Sequence, residues 1–337
     1  MKRKITLLLV VLGLAALALW LKQRSAPTSL DAPLSDFAVT DTASVDRIFI
    51  SDVSGNSIDL RRNGMEWTVN GTYPAKNSDV HLLLATFKRI EVRSPVSKKA
   101  QATALRFMAA GAKRVEIYQG GKVPEKVWIV GHATKESLGT YMVLELPDKG
   151  RSSAPFIMGM SGFTGILNSR FRTELDTWRS TRVWNIVDPY ELARVEVDLP
   201  KGPGSPYRIE HREDRKVRLL DGANKPLPTD STVLNMVLRS FKGLHYEAIE
   251  RRMKGTKRDS LLAATPDQVV RTFDRSGTRT EAKFWFMPYT GVVDTTLAYQ
   301  PDHDPIRMYA LVEDSLVVVV QRAVFDPILQ PAENLLP

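Results

Sequence analysis

The chain has 337 residues, of which 43% are hydrophobic, 8% aromatic and 25% charged, which fits an ordinary folded protein and excludes a disordered or fibrous one. It contains no cysteine, and this removes disulfides, thiolate catalysis, zinc ribbons, iron–sulfur ligation and a lipoprotein-type anchor together. Of the net charge of +9, five units sit on Lys2, Arg3, Lys4, Lys22 and Arg24 within an acid-free stretch of residues 1–24; the remaining +4 is scattered among acids without the basic stripe that nucleic-acid binding needs.

Met1-Lys2-Arg3-Lys4 is followed by an uncharged apolar run from Ile5 to Leu21. As a helix at ~1.5 Å per residue it reaches ~26 Å, close to the ~30 Å of a hydrocarbon core, so a transmembrane helix over 5–21 is expected. The basic side stays in the cytoplasm. Ala16-Leu17-Ala18 offers a cleavage site, yet Leu19-Trp20-Leu21 carries the apolar run past it, and Trp20 with Lys22 and Arg24 reads as an interfacial belt. Retention as an anchor over residues 1–24 is the expectation, with cleavage after Ala18 as the alternative. Both export the body, which places it on the extracytoplasmic side of that membrane.

Residues 25–44 hold Pro27, Pro33 and several Ser and Thr, and read as a spacer. Strands are expected over 45–50, 57–62 and 66–69, joined at Gly55-Asn56 and Asn63-Gly64; Asn-Gly favours the positive φ of a tight hairpin. After Pro74 the period changes. Val80, Leu83, Leu84, Phe87 and Ile90 form the single apolar stripe of an amphipathic helix, with Asn77, Ser78 and Asp79 as candidate caps. Further strands are expected over 91–96, 114–118, 126–130, 140–146 and 155–158, with a shorter helix over 100–110 ending at Gly111.

The same helix recurs 154 positions later, where Val237, Leu238, Phe241 and Leu244 replace Leu83, Leu84, Phe87 and Ile90. Val195-Glu196-Val197 answers Ile48-Phe49-Ile50, residues 308–313 answer 140–145, and 325–329 answer 163–167. Second-copy strands are expected over 246–250, 268–273, 281–287, 307–312 and 316–321, with a weaker helix near 260–264. The expected fold class is α+β: two tandem copies of a mostly antiparallel β-sheet unit, each with one main amphipathic helix and its helices on one face, after an N-terminal transmembrane helix. The units fall at 45–167 and 192–330. Between them lies a joint over 168–191, too aromatic for a free linker, and 331–337 is a tail.

These blocks also resemble a known family. Gly139-Thr140-Tyr141-Met142, Phe156-Ile157-Met158 leading to Gly162-Phe163-Thr164-Gly165, the stretch from Trp178-Arg179 to Val197, and Gln321 to Leu329 are similar to bacterial envelope proteins catalogued as domain of unknown function 4340. The resemblance covers nearly the whole chain and brings no catalytic residues with it. It implies an envelope accessory role, since members are often encoded near components of ABC-type transporters.

Signals of chemistry are sparse. Gly159-Met160-Ser161-Gly162 suggests a nucleophile elbow, but Phe163 stands where the motif needs glycine. Gly120-Gly121-Lys122 lacks the spacing of a phosphate loop. His81, His132, His211, His245 and His303 are dispersed without helical ligand spacing. The best polar cluster is Asp302-His303-Asp304, a metal-ligand candidate with Asp304 placed to pair with Arg307; its plainer reading is a polar turn held by Pro301 and Pro305. The basic cluster Arg251-Arg252-Met253-Lys254 with Lys257 and Arg258 reads as a solvated loop before an anionic-headgroup site. Trp67, Trp128 and Trp285 read as core residues first, and as a carbohydrate platform second.

The resulting expectation is a membrane-anchored, periplasmic, non-enzymatic scaffold or accessory protein of an integral-membrane complex at the inner membrane, with no cofactor and no nucleic acid. The alternative is an envelope polysaccharide- or lipid-binding module. A hydrolase built on Asp302 or Asp304 and an acid from the first unit comes third.

Overall fold

The computed structural model describes residues 32–201, 204–290, 302–313 and 315–337. The chain divides into two compact units, the first ending at Ser180 and the second beginning at Thr181.

The first unit opens its sheet with β1 (Arg47–Asp52), β2 (Ser57–Asn63), β3 (Glu66–Val69) and β4 (Tyr73–Pro74). Gly55 and Gly64, at φ +86° and +61°, make the first two turns of this meander. Helix α1 (Asn77–Arg89) then crosses from this edge to β5 (Ile90–Pro95) at the other, and α2 (Lys98–Gly111) follows. The sheet is completed by β6 (Lys113–Tyr118), β7 (Lys126–Ala133), β8 (Thr140–Leu146), β9 (Gly150–Arg151) and β10 (Phe156–Met160). Its order is β4-β3-β2-β1-β6-β7-β8-β10-β5, with β9 paired to β8.

Alternation along the strands decides which face each helix covers. Trp128, Val130, Met142 and Leu144 point to the α1 side, where Val80, Leu83, Leu84 and Phe87 are buried. The Phe87 ring meets Trp128 edge-on at 5.0 Å, and Phe37 and Phe171 lie 6.2 and 6.1 Å from the same indole. Ile129 and Val143 point the other way and line a cavity with Leu105, Met108 and Ala109 of α2. Gly131 permits this approach, since a Cβ there would stand 2.5 Å from Met108 Cγ.

The second unit holds β11 (Arg182–Trp184), β12 (Leu192–Asp198), β13 (Tyr207–His211) and β14 (Val217–Asp221), then α3 (Ser231–Arg239), β15 (Leu244–His245), β16 (Ala248–Ile249) and α4 (Thr256–Ala263). The last strands are β17 (Gln268–Asp274), β18 (Arg279–Pro288), β19 (His303–Val312) and β20 (Leu316–Gln321). Eight of them run β14-β13-β12-β17-β18-β19-β20-β16, and β11 pairs with β15 in a separate ribbon. Strand for strand, this is the order of β3-β2-β1-β6-β7-β8-β10-β5 in the first unit. Leu234, Val237, Leu238, Phe241 and Leu244 are buried at the positions 154 beyond Val80, Leu83, Leu84, Phe87 and Ile90. Trp184 meets Phe241 at 5.5 Å and donates its indole N–H to Thr272 Oγ1 at 2.9 Å.

The expected fold class needs correction. The described chain is not α+β but mostly antiparallel β throughout, in three sheets, with the helices as covers. Two long helices of the first unit, of 13 and 14 residues rather than one main helix, sit on opposite faces of its sheet. The helical stripes dominate the sequence pattern because each concentrates its apolar residues in one short run, whereas a strand shows only every second residue to a given core. Strands β13 and β14 escaped the sequence reading for that reason: Tyr207, Ile209, Val217 and Leu219 are buried, but charged residues alternate with them.

The expected transmembrane helix is also withdrawn from the fold. Among the described residues no helix is long and apolar enough to cross a membrane. The Ile5–Leu21 run and its flanking Trp20, Lys22 and Arg24 lie outside the described residues. Part of the supposed spacer packs into the first core through Phe37 and Val39, held by Lys126, whose Nζ donates to Asp36 O, Asp36 Oδ2 and Ala38 O at 2.8, 3.0 and 2.6 Å. The aromatic joint is shared out: Phe171 and Trp178 are core residues of the first unit and Trp184 of the second.

Candidate functional site

The residues singled out in the sequence are mostly absorbed by local structure. Asp304 Oδ1 accepts the backbone N–H groups of Ile306 and Arg307 at 2.8 and 3.0 Å, so its carboxylate closes a turn. Arg307 pairs with Glu247 instead, at 2.8 Å. The His303 ring stacks on Phe286, 4.9 Å between centroids and 7° between planes, and Asp302 is exposed. Among the described residues no group of three or more His, Cys, Asp or Glu side chains is placed to hold a metal ion. In the basic cluster Glu250 Oε1 accepts from the amides of Arg252 and Met253, and Arg258 donates to Ser315 O. Trp67, Trp128 and Trp285 are all buried, which removes them as ligand platforms.

The histidines are equally separate. His132 lies between Phe107 and Tyr141, at 5.5 and 5.0 Å, and His81 is exposed on α1. His211 Nδ1 is 2.7 Å from Leu192 O; burial holds its pKa below the ordinary imidazole value.

The carboxylates of the sheets are acceptors for arginine. Glu145 is shared by Arg114 and Arg151, and Glu281 by Arg271, Arg279 and Lys283. Burial pushes both carboxyls up, but the arginines outweigh it and their pKa values end below the usual range. They are fixed as ions, a poor start for a general acid.

One group of charges in the first unit behaves differently. Arg89 ends α1, Arg93 lies in β5, and Arg170 and Arg172 follow in the turn after β10. Arg89 donates to Ser161 O, Arg93 to Leu138 O and to Phe163 O at 2.8 Å, and Arg172 to Ser169 O at 3.1 Å. Arg170 donates to Thr86 Oγ1 at 2.6 Å and places its guanidinium 4.7 Å from the centre of the Phe163 ring. These acceptors are neutral. Among the described residues none of the four arginines makes a salt bridge to a carboxylate.

The turn that gathers them is the segment whose glycines mimic a nucleophile elbow. A Cβ on Gly159 would fall on the Arg93 guanidinium, and one on Gly162, at φ +72°, would stand 3.0 Å from Arg89 Nη2. Ser161 is exposed, and its amide is tied to Arg89 O at 3.2 Å in a tight turn. Arg170 and Arg172 face a cavity of about 270 Å³ walled by Leu82, Leu83, Phe163, Ile166 and Trp178, with Ser169 and Thr177 at its polar side. Asp79 also lines it and is paired with Lys76 at 3.3 Å. Burial lowers the pKa of Arg170, and the positive charge of Arg89 lowers it further.

The second unit keeps the frame but not the arginines of α1 and β5. By the 154-residue offset, Gly243 stands where Arg89 does, and Glu247, paired with Arg307, where Arg93 does. Arg322, after β20, lies 3.6 Å from Asp326. The arginine cluster of the first unit is therefore not a requirement of the shared topology. No protein-family model, curated protein or solved structure matches the chain.

Proposed function

We propose that the chain is an exported, non-catalytic accessory protein of a bacterial envelope complex, working at the outer face of the inner membrane by binding rather than by turnover. The observation that carries this reading is the asymmetry between two units of one strand order: the first presents a cavity edged by arginines without carboxylate partners among the described residues, while the second has Gly243 and Glu247 where the first has Arg89 and Arg93. A positively charged cavity of this kind recognises an anionic group. The ion-paired carboxylates elsewhere support binding over acid–base chemistry. Export is supported by Lys2, Arg3 and Lys4 preceding the uncharged run from Ile5 to Leu21. The resemblance to the envelope family of domain of unknown function 4340 supports an integral-membrane complex, such as an ABC-type transporter, as partner.

The alternative of a lipid-binding module is favoured by one feature, the apolar wall of Leu82, Leu83, Ile166 and Trp178 beside the arginines. The test of the main reading is protease accessibility in intact and lysed spheroplasts, joined to affinity purification from gently solubilised membranes. Digestion in intact spheroplasts with recovery of an integral-membrane partner is the expected result. Protection until lysis, or recovery of the chain alone in every detergent, overturns it.

A further inference from the structure

We infer that the cavity between α1 and residues 163–178 of the first unit is a binding site for a phosphate ester carrying an apolar substituent. Each guanidinium has five N–H donors in a planar fork. Arg172 uses Nε on Ser169 O, and Arg170 uses Nη1 on Thr86 Oγ1 and Met160 Sδ. The other donors of both have no protein acceptor among the described residues, yet both side chains line the same cavity. Two such forks suit the several oxygens of one tetrahedral anion, and the Ser169 and Thr177 hydroxyls add donors that either protonation state of a phosphate can use. Arg89 and Arg93, tied to the neighbouring turn at Ser161 and Phe163, add to the local positive field.

The remaining wall selects for more than an inorganic ion. Leu82, Leu83, Ile166 and Trp178 line the same cavity with apolar surface, and Leu82 is 49% exposed. A volume of about 270 Å³ holds a headgroup and its first few carbons, so a longer chain leaves the cavity over Leu82. The same chemistry is presented by a lipid headgroup in a bilayer and by a soluble phosphate ester. Asp79, held by Lys76, adds a negative charge to the lining and disfavours a ligand with a second anionic group.

The inference deepens the binding half of the proposed function and rests on it, while its test is independent of location and partner. Isothermal titration of the full chain with inorganic phosphate and with hexyl phosphate is expected to show the ester binding at least tenfold more tightly. Arg172→Gln, which removes a side chain bonded only to Ser169 O, is expected to weaken both about tenfold at unchanged melting temperature. Leu82→Ala should narrow the gap between the two ligands, and Arg322→Gln in the second unit should change neither. Flotation with phosphatidylcholine vesicles containing phosphatidic acid separates the sources: capture lost in Arg172→Gln assigns a lipid headgroup, and hexyl phosphate binding without capture assigns a soluble ester. Equal affinities for phosphate and its ester, or equal losses in Arg172→Gln and Arg322→Gln, overturn the inference. A chain absent from the envelope would remove the proposed function and leave these titrations standing.

Discussion

Replacing Phe87 by alanine probes the core that positions the arginine cavity. Phe87 is fully buried beneath α1, and its ring meets Trp128 edge-on at 5.0 Å. Among the described residues the Trp128 indole N–H has no hydrogen-bond partner, so ring packing fixes that side chain. A buried Phe→Ala change costs about 3–5 kcal/mol, lost transfer energy and cavity together. For a unit of about 150 residues, each kcal/mol shifts Tm by about 2–4 °C, which gives a fall of about 6–20 °C. Phe241→Ala, at the matching position under α3, should cost a similar amount. The two residues belong to separate hydrophobic clusters. Hydrogen exchange read by mass spectrometry should therefore rise in peptides of β6 to β8 for Phe87→Ala and in β17 to β19 for Phe241→Ala. The double variant should lose the sum within about 0.5 kcal/mol. Exchange that rises equally in both units for either single variant would refute the two-core reasoning.

Three other perturbations test particular contacts. Lys126→Met removes the three bonds that hold residues 36–38 against the sheet, and should cost about 2 kcal/mol and open that segment to limited proteolysis, followed by mass spectrometry. Asp52 has its pKa lowered to about 2 by hydrogen bonds from Asn56 and Thr173 and from backbone amides. A depressed carboxylate stabilises the fold above the unfolded-state pKa near 4 and loses that contribution as pH falls toward 2; Asp52→Asn should flatten the stability profile of the first unit in that window, measured by denaturant titration. Gly159→Ala places a methyl on the Arg93 guanidinium, which must leave Leu138 O and Phe163 O, and should weaken hexyl phosphate binding severalfold while the second unit keeps its exchange protection.

Strands were legible where local chemistry is loud. The Asn63-Gly64 turn and the alternation around it mark β2 and β3, and the 154-residue offset marks α1 and α3 because a helical stripe survives substitution of one aliphatic residue for another. The sheet order was not legible, since it depends on which edge α1 and α3 return to, and no local pattern encodes that crossover. Nor was the placement of α2, whose contacts Leu105 and Met108 only become an outer-face cover once Ile129 and Val143 are known to point away from Trp128. The arginine cavity stayed hidden because Arg89, Arg93, Arg170 and Arg172 are up to 83 positions apart and look like scattered surface charge. The one local signal was the pair Gly159 and Gly162, which fails as a nucleophile elbow at Phe163 and instead leaves room for the guanidinium groups of Arg93 and Arg89.

The first unit is proposed to bind anions where the second, built on the same strand order, does not. Heteronuclear NMR of arginine Nε–Hε groups during titration of the full chain with hexyl phosphate tests it most directly. The account predicts saturable shifts confined to Arg170, Arg172 and their neighbours Arg89 and Arg93, with Arg322 and Arg307 unmoved. Shifts spread evenly over the arginines of both units, or none at millimolar ligand, would contradict it.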